Sequence, residues 1–179
     1  GRGLAGRGAG ARGGAPGPFR WALRAWSRGP ALTVGAGQGT AIGAGFQLAL
    51  ACDLRVVADD VAFAMRETSL GLVPDLGGTW PLVRSIGYAR ALEICATGRY
   101  VGAQEAVAIG LATLAVPTEQ LDATARELSD VILGAQWEAG RELKPWLRHA
   151  IDSSAADQLR AEREAQARLL TAMVADHGQ

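Results

Sequence analysis

The sequence predicts an α/β fold, an α/β layer followed by a helical cap, and three observations carry that prediction. Short apolar runs alternate with helical stretches at βαβ spacing through the middle of the chain. Beyond residue 116 the strand-like text ends and long, charged helical stretches take over. Finally, 49% of the 179 residues are hydrophobic against 20% charged, enough for one packed core and inconsistent with disorder throughout. The chain divides into a Gly/Arg-rich leader (1–30), an α/β core (31–116) and a helical C-terminal region (117–179).

The elements follow in order. Residues 1–30 hold nine glycines, six arginines, three prolines and no acid. They show neither helical nor strand periodicity, so this stretch reads as a flexible leader. Residues 31–37 form a short run suited to a buried strand, closed by Gln38-Gly39. After the turn Gly43-Ala44-Gly45, residues 48–52 are helical in composition, and 53–58 read as a second strand. Residues 62–65 make a third strand, and 68–78 a loop rich in turn formers. Helices follow over Thr79–Ile86 and over 89–97, the latter stopped by Gly98. A helix over 103–109 stops at Gly110, a strand covers 112–116, and a long helix opens near Thr118 and runs to about Leu133. Residues 137–150 and 155–175 are helical and charged, and no internal repeat is visible.

Composition narrows the function classes. Eighteen basic and eighteen acidic side chains give a net charge of zero, so no overall excess exists to hold a polyanion. The balance is uneven, +6 in residues 1–30 and −6 in the remainder. The leader lacks the repeated Arg-Gly-Gly units of a nucleic-acid arm, and it has too little serine for an arginine-rich targeting segment. Cys52 and Cys95 lie in apolar runs, which suits a reduced, cytoplasmic chain. No apolar stretch reaches the roughly 18 residues of a membrane span. A first residue of glycine rather than methionine reads as a fragment or a processed chain.

Familiar catalytic patterns are mostly missing. A dinucleotide fingerprint started at Gly35, Gly37 or Gly43 puts its third glycine on Thr40, Ile42 or Leu48, and no P-loop lysine follows a glycine. His149 and His177 lie in the late helical region and near the terminus, neither by a candidate serine or cysteine nucleophile, and no zinc spacing occurs. Two features remain. The Gly43-Ala44-Gly45 turn is either a tight-packing device or a helix start whose free N–H groups meet an anion or a polarised carbonyl. The carboxylates Glu67 and Asp75 are either a surface charge and a Pro-Asp turn, or an acid/base pair. Apolar surroundings bring a carboxyl group into acid/base range, and Asp75 is flanked by Val73, Leu76 and Trp80.

The stretch from Gln38 to Asp53, Gln-Gly-Thr-Ala-Ile-Gly-Ala-Gly-Phe-Gln-Leu-Ala-Leu-Ala-Cys-Asp, resembles the signature of the crotonase superfamily, the enoyl-CoA hydratases and isomerases. The likeness continues through Phe63-Ala-Met-Arg-Glu67, Leu70-Gly-Leu-Val-Pro-Asp-Leu-Gly-Gly-Thr79, Ala89-Arg-Ala-Leu-Glu and Gly110-Leu, so it covers the chain from about Ala31 onward. It implies a spiral of ββα turns, only partly present here, with C-terminal helices that support homotrimers or hexamers. It also implies an acyl-CoA thioester substrate, with coenzyme A arriving as part of the substrate and no separate cofactor or metal.

Position by position, the resemblance puts an oxyanion-hole donor at Ala44, beside Gly43. Alanine in place of the family's glycine keeps the N–H. The two hydratase glutamates correspond to Gln47 and Glu67. Gln47 can orient a water but cannot take up a proton at neutral pH, so hydration by Glu67 is the secondary expectation. Asp75, in Pro-Asp-x-Gly-Gly-Thr-Trp, is similar to the acid of isomerases in this superfamily, and isomerisation with Asp75 as the shuttling base is the first expectation. Trp80 and Phe46 are expected as pocket walls. Family members draw further strands, much of the coenzyme A site and a first oxyanion donor from sequence ahead of this region. Nothing in residues 1–30 resembles it, so the resemblance implies an N-terminally truncated member. That leaves a reading of another class open, an inactive remnant that serves only as an oligomer subunit.

Overall fold

The computed structural model describes residues 17–135 and 137–176. The strands form two small sheets, and the first four strands alternate between them. Strands β1 (Val34–Gly37), β3 (Leu54–Ala58) and β6 (Leu114–Val116) form one sheet in the order β1-β3-β6, all parallel. Strands β2 (Thr40–Ile42), β4 (Ala62–Ala64) and β5 (Val101–Gly102) form the other, with β2-β4 parallel and β4-β5 antiparallel. The path β1-β2 then helix α2 (Ala44–Ala51), β3-β4 then helix α3 (Thr79–Ile86), is a ββα turn made twice, as the family resemblance implies.

Strand β3 shows why the layers hold. Its neighbours Val56 and Val57 point to opposite faces, as strand geometry requires. Val57 enters the main core with Phe46, Phe63, Met65, Leu82 and Ile94, whereas Val56 joins a second cluster with Ala58 and Leu121. A strand buried on both faces tolerates no polar alternation, and residues 56–58 have none. Phe46 of α2 stacks on Phe63 of β4 at 5.0 Å between ring centroids, which fixes the helix against the second sheet.

Helices α4 (Tyr88–Thr97), α5 (Ala103–Ala108), α6 (Leu121–Leu133), α7 (Trp137–Asp152) and α8 (Ala155–Asp176) complete the chain. The only lysine, Lys144, fastens α7 to the core. Its Nζ donates to Ala31 O at 2.7 Å and lies 2.8 Å from Asp53, whose other carboxylate oxygen meets Arg148 at 2.9 Å. No helix among the described residues is long and apolar enough to cross a membrane.

The structure departs from the sequence expectation in three places. The leader is not irregular throughout, because Pro18–Arg28 forms helix α1, with proline in its first turn and Gly29 after its last. Its arginines at 20, 24 and 28 fall one helical turn apart, a period hidden by the surrounding glycines and prolines. Residues 1–16 and His177 lie outside the described residues. Strands β2 and β5 were not foreseen. With three and two residues, they are too short to show a period of two. Helix α2 starts at Ala44 rather than at 48, so the glycine turn is its N-terminus.

Candidate active site

Gly43 sits at the junction of β2 and α2 with φ 54° and ψ −112°, a backbone conformation that only glycine adopts at little cost. Its N–H donates to Ala64 O of β4 at 2.9 Å, which pins the turn to the second sheet. The first backbone bond of α2 runs from Gln47 N to Gly43 O at 2.9 Å. The N–H groups of Ala44, Gly45 and Phe46 therefore precede the hydrogen-bond ladder, as at any helix start. Ala44 is exposed at this helix start.

Glu67 lies across from this turn, at the start of a 3-10 turn over Glu67–Leu70 that follows β4. A Cβ on Gly43 would approach Glu67 Oε1 to 3.3 Å, so glycine is needed here for space as well as for φ. Thr68 Oγ1 donates to Cys95 O at 2.8 Å and ties the 3-10 turn to α4. Burial, and after it the negative charge of Glu67, push the Cys95 thiol above its ordinary pKa.

Gln47 joins the parts. It is 2% exposed. Its Oε1 accepts from Leu76 N at 3.0 Å and Gly78 N at 3.2 Å, and its Nε2 donates to Glu67 Oε1 at 2.7 Å. Two N–H donors on one oxygen settle which end of the amide is which, and an amide nitrogen facing Glu67 requires that oxygen to accept. The other carboxylate oxygen, Oε2, is buried and has no hydrogen-bond partner among the described residues. A buried carboxylate oxygen without a donor is costly, and Oε2 is therefore left with hydrogen-bonding capacity for a group that enters the site.

The sequence-predicted residues thus divide. Gly43, Ala44, Gln47 and Glu67 come together. Asp75 does not enter the apolar setting expected for it. Its side chain is 57% exposed and pairs with Arg20 of α1, while Val73 beside it is also exposed. Trp80 is half-exposed, carries Arg84 over its ring at 3.9 Å, and lines a cavity with Gln47 and Leu76. Phe46 is fully buried in the core and is not a pocket wall. Sequence reading missed Leu76 and Gly78 as backbone donors. The paired glycines 77 and 78 were the available signal for a close backbone approach.

The profile of the enoyl-CoA hydratase/isomerase family matches residues 14–177. The chain belongs to that family. The match starts ahead of Ala31 and takes in α1, so the family likeness reaches further back than the motifs alone indicated. Among relatives, a probable enoyl-CoA hydratase of Mycobacterium tuberculosis is 37% identical over 131 residues, which are 73% of this chain and 51% of that protein. The chain therefore spans about half the length of the relatives it matches. A provisionally named enoyl-CoA hydratase of Thermobifida fusca, solved in complex with CoA, superposes with a TM-score of 0.81 at 42% identity, over 87% of this chain and 59% of that one. It has also been solved with acetoacetyl-CoA. The enoyl-CoA hydratase of Bacillus anthracis gives a TM-score of 0.82 at 33% identity, over 86% and 59%.

Proposed function

We propose that this family member moves double bonds in enoyl-CoA thioesters, with Glu67 as the group that carries the proton. The observation behind this reading is the unpartnered, buried Glu67 Oε2 beside the Gly43-Ala44 turn. The thioester oxygen accepts a hydrogen bond from Ala44 N–H, which favours the charge that builds up on that oxygen as an enolate forms. Glu67 takes a proton from the carbon next to the double bond, and the electron pair delocalises onto the thioester oxygen. It then returns the proton two carbons away, which shifts the double bond. The same carboxylate serves both steps, so one base suffices. Coenzyme A enters as part of the substrate, and no separate cofactor is needed.

Hydration is the second reading, and the state of Gln47 weighs against it. Adding water requires one group to activate it and another to deliver a proton. Both lone pairs of Gln47 Oε1 are occupied by Leu76 and Gly78, and its Nε2 is engaged by Glu67. Gln47 is therefore a positioning residue for Glu67 rather than a second acid/base. Asp75 has its own counter-ion in Arg20 and stands outside this arrangement.

The test is a pair of variants assayed on cis-3- and trans-2-enoyl-CoA. Glu67→Gln should lower isomerase turnover by roughly 10²–10⁴, while Asp75→Asn keeps most of it. The opposite ranking would move the base to Asp75, and hydration without migration would restore the second reading.

A further inference from the structure

Arg20, Arg24 and Arg28 form a stripe along one face of α1, and this helix has no acidic residue to offset them. Like charges one turn apart repel weakly, and an anion beside such a stripe relieves that repulsion. Asp75 answers Arg20. Arg24 and Arg28 have no ion-pair partner among the described residues. Both border a cavity of about 270 Å³ enclosed by α1, α2, α3 and α7, with an apolar floor of Leu23, Leu50 and Ala51. Arg28, Trp80 and Arg148 also line a second cleft of about 550 Å³, which adds Lys144 and His149. No carboxylate lines either space. Lys144 and Arg148 are committed to Asp53, so Arg24 and Arg28 are the free cations.

The cavity stands in a defined direction from Ala44. Positions 44, 47 and 51 share one face of α2, with Leu50 beside them, and the run covers about 10 Å along the axis. Gln47 lines this cavity and donates to Glu67, so an acyl chain whose carbonyl lies at Ala44 N–H and whose reacting carbons lie by Glu67 would have this space beyond Gln47 for its far end. Its middle meets apolar side chains and its far end meets two unpaired guanidinium groups.

We infer that the site selects acyl thioesters whose far end carries a carboxylate, held by Arg24 and Arg28. This rests on the reading of Ala44 and Glu67 as the thioester site. The test is calorimetric binding of adipoyl-CoA, hexanoyl-CoA and CoA alone to the full chain and to the exposed-site double variant R24Q/R28Q. Adipoyl-CoA should bind roughly tenfold tighter than hexanoyl-CoA, as charge-assisted hydrogen bonds allow, and the ratio should fall to about one in the variant. Equal binding of the two thioesters by the unaltered chain overturns the inference and leaves the enoyl-CoA reading standing. Failure of all three ligands to bind overturns both. If the variant weakens CoA alone as much as adipoyl-CoA, the arginines hold a phosphate of the carrier, and the inference about the acyl end is wrong.

Discussion

A Cβ built on Gly78 would stand 2.6 Å from Gln47 Cγ and 3.2 Å from its Cα, closer than atoms approach without something shifting. The residue that must shift is the one that orients Glu67. Gly78→Ala therefore acts on the site through Gln47, by lifting the 76–78 backbone off Oε1. The expected cost is about 1–3 kcal/mol of stability, the range for overpacking a tight contact, with a larger loss in isomerase turnover than in thioester binding. Urea unfolding and a comparison of kcat with KM check it. Wild-type stability together with wild-type kcat would show that the contact does not hold Gln47 in place. At this scale the sequence was legible where a residue acts on near neighbours. Gly43 and Ala44 could be located in one local turn, whereas Gln47 and its pairing with Glu67, 20 positions away, were indicated only by the family resemblance. Asp75 could not be judged that way, since Arg20 lies 55 positions earlier and no local pattern announces a partner that distant.

Among the elements, the joint between α4 and α5 depends on one side chain. Arg99 bonds Glu93 of α4 at 2.7 and 2.9 Å and Glu105 of α5 at 2.7 and 2.8 Å. These hydrogen bonds hold both carboxyl groups below their ordinary pKa and raise that of Arg99. A carboxyl whose pKa is lowered on folding contributes stability in full above its unfolded value, about 4.3, and loses it as pH falls through the depressed folded value. Arg99→Gln should therefore lower the urea midpoint near neutral pH, and the gap to wild type should close as the solution is acidified below about pH 4. Because the groups are exposed, added salt should shrink it as well. A gap that stays constant with pH would mean that Arg99 acts through packing alone. Elements with several turns, such as α3, α4 and α6, carried enough period to be read in advance. Strands of two or three residues did not, and α1 was masked by its glycine-rich surroundings although its arginine spacing was helical.

For the molecule as a whole, the pairing of residues 40–42 with 62–64 and of 34–37 with 54–57 is what turns a linear strand-helix text into two sheets. Only the family signature signalled that ββα arrangement, because strand pairing at such separations leaves no local trace. The C-terminal region poses the matching question. Lys144 and Arg148 turn one side of α7 toward Asp53, while Leu143, Leu147 and Ile151, spaced one turn apart, remain exposed at 54%, 61% and 52%. Leu159 and Leu170 of α8 are exposed too. Apolar rows of this kind are uncommon on a lone soluble chain and fit a surface covered by another copy. We therefore expect the chain to run as a trimer or hexamer in light scattering. Leu147→Glu should reduce that mass to the protomer's while leaving the far-ultraviolet circular dichroism intact, because Leu147 makes no contribution to the buried core. A wild-type chain of protomer mass would overturn the expectation of an assembly. A Leu147→Glu chain of unchanged mass would instead place the interface on another surface and leave the α7 row as exposed side chains only.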